Sequence, residues 1–476
     1  MKKRKSKFKI IRWIIIGIVL LTMLYLLISI YKLNILPFKI SFLITLFILV
    51  LNFIAVILLF VKLKITRFLG ILLSIVLVLM SLIAGSYIND TNKFLDKSFN
   101  NNVIETSTYN VVTLSDSNYS SLEDLTNKSL GYLKDSEDSI NKLNSMITTD
   151  SKEYEDLYEL YNDLLNKNIE AMLIDEAYLD ILSDIHRDLD EFIKVISSFD
   201  LSTEIAKKEE GKKENNLKPI NIFISGSDSR SNNISNKSRS DVNMIVTVNP
   251  NTHEVLLTSI PRDYYVNVHG KTGLKDKLTH AGIYGLEIST KTVEDLFNIE
   301  IDYSIKLGFN ALTEIVDLVG GIEVYSDTAF RSSHIKTWNV QKGINYMDGK
   351  KALAYSRERY AYRSGDRHRI QNQQQVLEAT MKKILSNKNI LLKYDELLIS
   401  LGNLYRTDIP KDIITLYVKE QLNSMPTWKF TSQWVDGKGA MLPTYTAPKS
   451  KRSVLLPYED DVKEATQKIN SILSKN

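Results

Sequence analysis

Three apolar stretches, residues 10–30, 40–61 and 68–88, follow one another with only short charged links between them. Each reaches the roughly 20 residues that a helix needs to cross the hydrocarbon of a bilayer. One such run can be a buried core helix, but three in succession commit the chain to the membrane. A cleavable signal peptide fits poorly, because its apolar core is shorter and a small-residue cleavage site should follow it.

The basic residues set the expected orientation. Lys2, Lys3, Arg4, Lys5, Lys7, Lys9 and Arg12 hold the N-terminus in the cytoplasm, and Lys62, Lys64 and Arg67 mark the second cytoplasmic link. Lys32 and Lys39 lie in the first, outer link. An odd number of spans places everything after residue 88 outside the cell. The expectation is a multi-pass cell-membrane protein of a Gram-positive-type envelope, with residues 1–9 as a basic cytoplasmic N-terminus and 10–88 as the spans. The chain has no cysteine, which excludes a disulfide scaffold and thiolate metal sites.

Residues 89–476 are long enough for two cores. A charged stretch at 207–218, with Lys207-Lys208-Glu209-Glu210-Gly211-Lys212-Lys213-Glu214 at its centre, reads as a solvated linker. It divides an accessory domain, 89–206, from a catalytic core at 219–386 and its C-terminal part at 387–476. In the first, strands are expected at 109–114, 129–133 and 169–174, with helical periodicity at 154–165 and 176–199. This small α/β domain shows no catalytic constellation, and an accessory packing or partner-docking role suits it. Beyond the linker, strands are expected at 220–225, 242–248, 254–260, 303–307 and 322–325. Helices are expected at 278–284, 290–297 and 310–319. The alternation argues for a mixed sheet covered by helices.

The densest chemistry lies in Ser356-Arg357-Glu358-Arg359-Tyr360-Ala361-Tyr362-Arg363-Ser364-Gly365-Asp366-Arg367-His368-Arg369. The first 67 residues carry a net +12 and the whole chain +4, so these arginines sit in a remainder of net −8. A dense cationic spot on an anionic body fits a discrete phosphate site, not a nucleic-acid surface. Arginine offers a planar fork of donors that stays charged. A helix over 350–358 with the arginines as its solvated face is the plain alternative. However, Arg357 and Arg359 cannot share a helical face, and Ser364-Gly365-Asp366 is expected to interrupt the helix until residue 370. Gln373 lies one turn inside that second helix, in line with Arg369.

Upstream, Asp228 stands just past the strand at 220–225, and Asp241 opens the next strand in Ser238-Arg239-Ser240-Asp241. Two carboxylates on adjacent loop ends can hold one hard cation, although turn or cap aspartates are commoner. Arg262, in Ile260-Pro261-Arg262-Asp263, lies at another strand end, where open α/β sheets bind ligands. A surface salt bridge from Arg262 to Asp263 or another acid is the alternative. The six histidines show no metal spacing, and no nucleotide-loop pattern surrounds Gly226. His280 reads as a packing or hydrogen-bonding residue.

Seven ordered segments carry a resemblance. They are Gly226-Ser227-Asp228-Ser229-Arg230, Arg239-Ser240-Asp241, Ser259-Ile260-Pro261-Arg262-Asp263, Asp317-Leu318-Val319-Gly320-Gly321-Ile322, Asn345-Tyr346-Met347-Asp348-Gly349, Ala352-Leu353-Ala354-Tyr355-Ser356-Arg357, and Gly365-Asp366-Arg367 with Arg369. Together they resemble the LytR-CpsA-Psr family of cell-wall ligases over about residues 219–386. The three spans and the accessory domain resemble its capsule-associated branch.

The resemblance implies an α/β/α sandwich that transfers a glycopolymer, capsular or teichoic-acid-like, from a polyprenyl-pyrophosphate carrier to peptidoglycan through a phosphodiester. It implies Mg²⁺, with Mn²⁺ as the alternative, held by Asp228 and Asp241. Arg239, Arg262, Arg357, Arg359, Arg367 and Arg369 would surround the pyrophosphate, with Gln373 hydrogen-bonding it. Asp228, Asp241, Arg262, Arg357 and Arg359 would carry catalysis, and Arg363 is left out. Asp366 would orient arginines. Thr279-His280 stands where the family often has Asn-Ala. A polyprenyl chain needs a dry pocket, for which Leu307, Phe309, Leu312, Ile315, Val316 and Val319 are candidates alongside plain core packing.

Two readings compete with the ligase. A pyrophosphatase would use the same site with water, and a non-catalytic glycolipid-binding protein or membrane regulator of capsule assembly would use no chemistry, with capsule-assembly proteins as partners. DNA regulation is improbable, because the basic N-terminus and one short link hold no helix-turn-helix.

Overall fold

The computed structural model describes residues 2–34, 36–100, 103–183, 188–205, 217–227, 234–363 and 365–475. Most of the charged linker and Asp228 therefore lie outside the described residues. The chain forms two compact units: Met1–Asn101 with Leu385–Ser400 and Pro410–Pro426, and the remainder of the chain.

In the first unit, α1 (Lys2–Leu33), α2 (Phe38–Phe60) and α3 (Lys64–Asn100) contain stretches of 25, 23 and 30 residues long and apolar enough to cross a membrane. Pro37 starts α2, where its missing N–H costs nothing. Gly70 lets α3 approach α2, since a Cβ there would meet Leu58 Cβ at 2.9 Å. The same unit holds short helices from residues 388–401 and the helix Lys411–Ser424. Lys411 Nζ donates to Asn92 Oδ1 at 2.6 Å on α3, and Lys419 Nζ to Asn34 Oδ1 at 2.7 Å just after α1. The ends of α1 and α3 thus lie on the same side of the bundle.

The second unit contains two sheets. The first is built from β1 (Val103–Leu114), β2 (Ser129–Leu133), β3 (Asp150–Tyr154), β4 (Ala171–Asp175) and β5 (Ile193–Ile205), in the order β3-β2-β4-β1-β5. Alternating apolar residues bury both faces: Val112, Met172 and Ile174 on one, Val111, Ala171 and Leu173 on the other. The helical periodicity expected over 176–199 fails beyond Phe192. Helices at Glu176–Leu182 and Leu189–Phe192 give way to β5, which pairs antiparallel with twelve residues of β1. Ile196, Phe199 and Leu201 pack on the core around Val111 and Leu173, a bulge opposite Val111 and Val112 breaks the strict alternation, and only the partner β1, some ninety residues away, decides between the two periods. Likewise Tyr154 ends β3, and the helix starts at Leu157, capped by Asp156, whose Oδ1 accepts from the N–H groups of Tyr158 and Glu159.

The second sheet consists of β6 (Ile220–Ser227), β7 (Val242–Asn249), β8 (Glu254–Ile260), β9 (Tyr303–Gly308), β10 (Tyr405–Thr407) and β11 (Lys429–Trp434), in the order β10-β9-β6-β7-β8-β11. β6, β7 and β8 form an antiparallel meander; β9 joins β6 and β11 joins β8 in parallel. Helices Leu286–Phe297 and Glu459–Leu473 cover one face, closing a core around Phe223, Ile245, Val293 and Ile469. The two sheets are joined without a gap: Ile283 and Ala447 belong to the core of the first, and the Arg452 guanidinium lies 3.4 Å above the Tyr158 ring. This is the mixed α/β architecture expected from the sequence.

Candidate functional site

The strand directions bring five strand termini to one end of the second sheet. β6 ends there at Ser227, β7 begins at Val242, β8 ends at Ile260, and the parallel partners β9 and β11 end at Gly308 and Trp434. Open α/β sheets bind ligands at such an end.

The loop carrying Arg239 and Asp241 is knitted to the end of β6. Asp241 N–H donates to Gly226 O at 2.7 Å, and hydroxyl pairs join Ser225 to Ser240 at 2.8 Å and Ser238 to Ser227 at 2.9 Å. From below, the buried Lys306 ammonium binds the carbonyls of Asn236 at 2.5 Å and Ser238 at 3.2 Å. Gly282 is required beside it, because a Cβ there would stand 2.4 Å from Ser238 O. Arg239 is buried within this loop.

Across the ladder, Arg262 Nη1 donates to Asp241 Oδ1 at 2.6 Å. Its Nε also stands 3.8 Å from Asp263, so the salt bridge weighed for the Ile-Pro-Arg-Asp segment exists beside the functional contact. Asp263 in turn binds Lys277 Nζ at 3.1 Å. Burial pushes the Asp263 carboxyl up, but Lys277, Arg262 and Arg369 outweigh it and hold its pKa below the usual carboxylate value. Asp263 is thus a hub that collects three cations, a role its sequence neighbourhood did not disclose.

The arginine segment arrives on two helices. Gly349–Arg357, capped by Asp348, ends at Glu358. The fully buried Glu358 carboxylate accepts the N–H groups of Arg359 at 3.1 Å, Tyr360 at 3.0 Å and Ala361 at 3.3 Å, together with Ser333 N–H at 2.7 Å. The second helix runs Asp366–Ser386, starting four residues before the expected position, so Arg367 and Arg369 occupy its first turn and not a loop. Gln374 anchors it across the ends of β8 and β11 by donating to Ser259 Oγ at 2.9 Å and Gln433 O at 2.6 Å. Side chains diverge within the segment. Arg357 lies 4.6 Å over the Phe309 ring at the end of β9, and the charge of Arg369 is close enough to help lower the Asp263 pKa. Arg367, largely exposed, pairs with Asp436 just past β11. Arg359 turns to Tyr360, and Arg363 is exposed. Gln373 is half-buried one turn beyond Arg369.

Asp228 lies outside the described residues, and among those described no group of three His, Asp or Glu side chains forms a metal cluster. Asp241 therefore stands as the described carboxylate at this sheet end that was assigned to Mg²⁺. A carboxylate is the kind of donor a hard divalent cation takes, and the Oδ1 of Asp241 is engaged by Arg262.

Of the residues weighed for an apolar pocket, Val316 and Val319 are core, whereas Leu307, Phe309, Leu312 and Ile315 are half-buried. Leu307 shares its sheet face with Ile305, and on β6 Ile222 and Ile224 pair with Tyr303 and Ile305. All of these stay half-buried, so the centre of the sheet presents an incompletely filled apolar face leading to the arginines. His280 follows Thr279, whose backbone bonds Arg262 O and Ser240 N–H, but its own Nδ1 is 2.8 Å from Asp276 and 3.1 Å from Thr446, all three buried, which is the packing and hydrogen-bonding role expected.

A membrane-anchored α/β protein with a cationic cluster at the open end of a mixed sheet is thereby defined. The model of the LytR_cpsA_psr family matches residues 191–456, and the chain belongs to that family. It is 34% identical over 199 residues to polyisoprenyl-teichoic acid–peptidoglycan teichoic acid transferase TagU of Enterococcus faecalis, covering 42% of this chain and 64% of that one. With the protein of the same name from Oceanobacillus iheyensis it shares 33% identity over 231 residues, 46% of this chain and 68% of that one. Against the crystal structure of B. subtilis TagV the identity is 25% and the TM-score 0.46, covering 54% of this chain and 98% of that one. The chain thus spans just under two thirds of the length of its Enterococcus relative.

Proposed function

We propose that this chain transfers an anionic glycopolymer, teichoic-acid-like or capsular, from a polyprenyl-pyrophosphate carrier to peptidoglycan. The observation that carries the reading is the cross-strand pair Asp241–Arg262 at the same sheet end as Arg357, which lies over Phe309 beyond β9, on a sheet whose central strands β6 and β9 carry half-buried apolar residues. A polyprenyl pyrophosphate has the matching two parts, an apolar chain and a compact polyanion. The names of the relatives, which are transferases of polyisoprenyl-linked teichoic acid to peptidoglycan, support the same chemistry.

In the reaction, a peptidoglycan hydroxyl attacks the glycan-bearing phosphorus. The new oxygen–phosphorus bond replaces the bond to the bridging oxygen, polyprenyl phosphate leaves, and the hydroxyl proton is released. Charge on the oxygens around the phosphorus, above all the attacking and leaving ones, must be neutralised without reorganisation, which fixed guanidinium groups accomplish. Arg262, held by Asp241, Arg357 over Phe309, and Arg369 at the start of its helix are the groups assigned to it in this reading. Mg²⁺, held by Asp241 and Asp228, would supply further positive charge to the phosphates when bound. The N-terminus is assigned to the cytoplasm by its basic residues, which puts the site on the outer side, where peptidoglycan lies.

The test is transfer of lipid-linked oligosaccharide to peptidoglycan fragments by the full chain in nanodiscs with Mg²⁺. Product with the wild type and none with Asp241→Ala or Arg357→Ala is expected. Equal product from both variants would remove the site. Release of polyprenyl phosphate and glycan phosphate without any conjugate would establish a pyrophosphatase instead.

A further inference from the structure

Tyr360 is 63% exposed, although its neighbours Tyr355 and Tyr362 are packed against Phe330. An exposed aromatic on a loose loop would be unexceptional. This one is not loose. Its N–H is bound by the buried Glu358 carboxylate at 3.0 Å, as are those of Arg359 and Ala361, so the turn that displays it is fixed. Its hydroxyl accepts from Arg359 Nη2 at 2.8 Å, with the guanidinium carbon 4.8 Å from the ring centre. The hydroxyl and one side of the ring are therefore engaged by a cation of the arginine segment, and the rest of the ring is offered to solvent.

An apolar plate joined to a guanidinium of the arginine segment matches the two parts of a pyranose attached directly to a phosphate. The sugar's C–H face is apolar and flat enough to stack, and its anomeric oxygen is bonded to the phosphorus, so the two groups must be recognised side by side. We propose that Arg359 and Tyr360 form a glycosyl-phosphate subsite in which Tyr360 stacks on the first sugar of the lipid-linked donor. This rests on the pyrophosphate reading of the arginine cluster and adds to it the part of the donor that distinguishes a loaded carrier from a spent one. Glu358 acts as a positioning residue for the pair.

The experiment measures binding of the full chain, in nanodiscs, to polyprenyl pyrophosphate and to polyprenyl-pyrophosphoryl N-acetylglucosamine, and the KM for donor and acceptor in transfer. Wild type should prefer the sugar-bearing lipid. Tyr360→Ala should lose that preference, weakening the sugar-bearing lipid about 3- to 10-fold, the scale of one aromatic stacking contact, while binding bare polyprenyl pyrophosphate unchanged. Tyr360→Phe should retain the preference, because stacking uses the ring. The proposal is overturned if Tyr360→Ala keeps the preference, or if it weakens both lipids equally, which would make the tyrosine a support for Arg359 alone. A raised KM for peptidoglycan with an unchanged donor KM would assign the ring to the acceptor sugar and also overturn it. Failure of the wild type to bind either lipid would instead refute the pyrophosphate reading on which the subsite stands.

Discussion

Asp241 and Arg262 are cross-strand partners. The β7–β8 ladder pairs Asn243 with Ile260, and two residues further the same register sets Asp241 opposite Arg262, where the two side chains meet at 2.6 Å. The site is an extension of a β-hairpin: the turn at Asn249 fixes the register, and the register fixes the charge pair at the other end.

Asp241→Asn should therefore act through Arg262 as well as through any cation. The amide keeps the shape but weakens the hold on the guanidinium, and removing one electrostatic partner of this kind typically lowers kcat by about 100-fold or more. Arg262→Lys should fare no better, since an ammonium lacks the fork that can face carboxylate and phosphate together. Steady-state transfer assays check both, and near-wild-type rates in either variant would contradict the assignment.

Gly282→Ala should disturb the site without touching a charged residue. Its Cβ would meet Ser238 O at 2.4 Å and Ser240 N at 3.0 Å, forcing back the loop that holds Arg239 and Asp241. A loss of about 1–3 kcal/mol is expected from such overpacking. Thermal denaturation in detergent measures it, together with a rise in donor KM.

The Asp263 carboxyl is held below its unfolded pKa by Lys277, Arg262 and Arg369 acting against burial. Its contribution to stability is present in full above about pH 4, the unfolded value, and is lost as pH falls through the lower folded value. Asp263→Asn should destabilise the protein at neutral pH and flatten the acid limb of its stability profile below pH ~4. An unchanged acid limb would remove Asp263 from the network.

Because the chain has no cysteine, paired substitutions report on the membrane unit without background. Lys411→Cys combined with Asn92→Cys should cross-link with a short bismaleimide, reflecting the 2.6 Å contact between the native side chains. In intact cells Lys411→Cys should react with a membrane-impermeant maleimide. Labelling only after lysis would reverse the topology assigned from the basic N-terminus.

What the sequence determined is local or additive. Span length, the charge bias around residues 2–12 and the periods of β6 to β9 can each be read within a window, because burial in lipid or in a sheet imposes its own period on consecutive residues. The seven motif segments located the site's residues by order along the chain. Tertiary structure decided the rest, because the deciding partner is distant. β5 is a strand through its pairing with β1, against the helical period expected over residues 176–199. Arg367 and Arg369 lie on a helix anchored by Gln374 to β8 and β11. Among five arginines of one charge and similar spacing, Arg367 pairs with Asp436, Arg357 lies over Phe309 and Arg359 turns to Tyr360, directions that spacing along the chain does not give. A charge cluster is visible in one dimension, but its convergence on a ligand depends on acids and rings supplied by other strands.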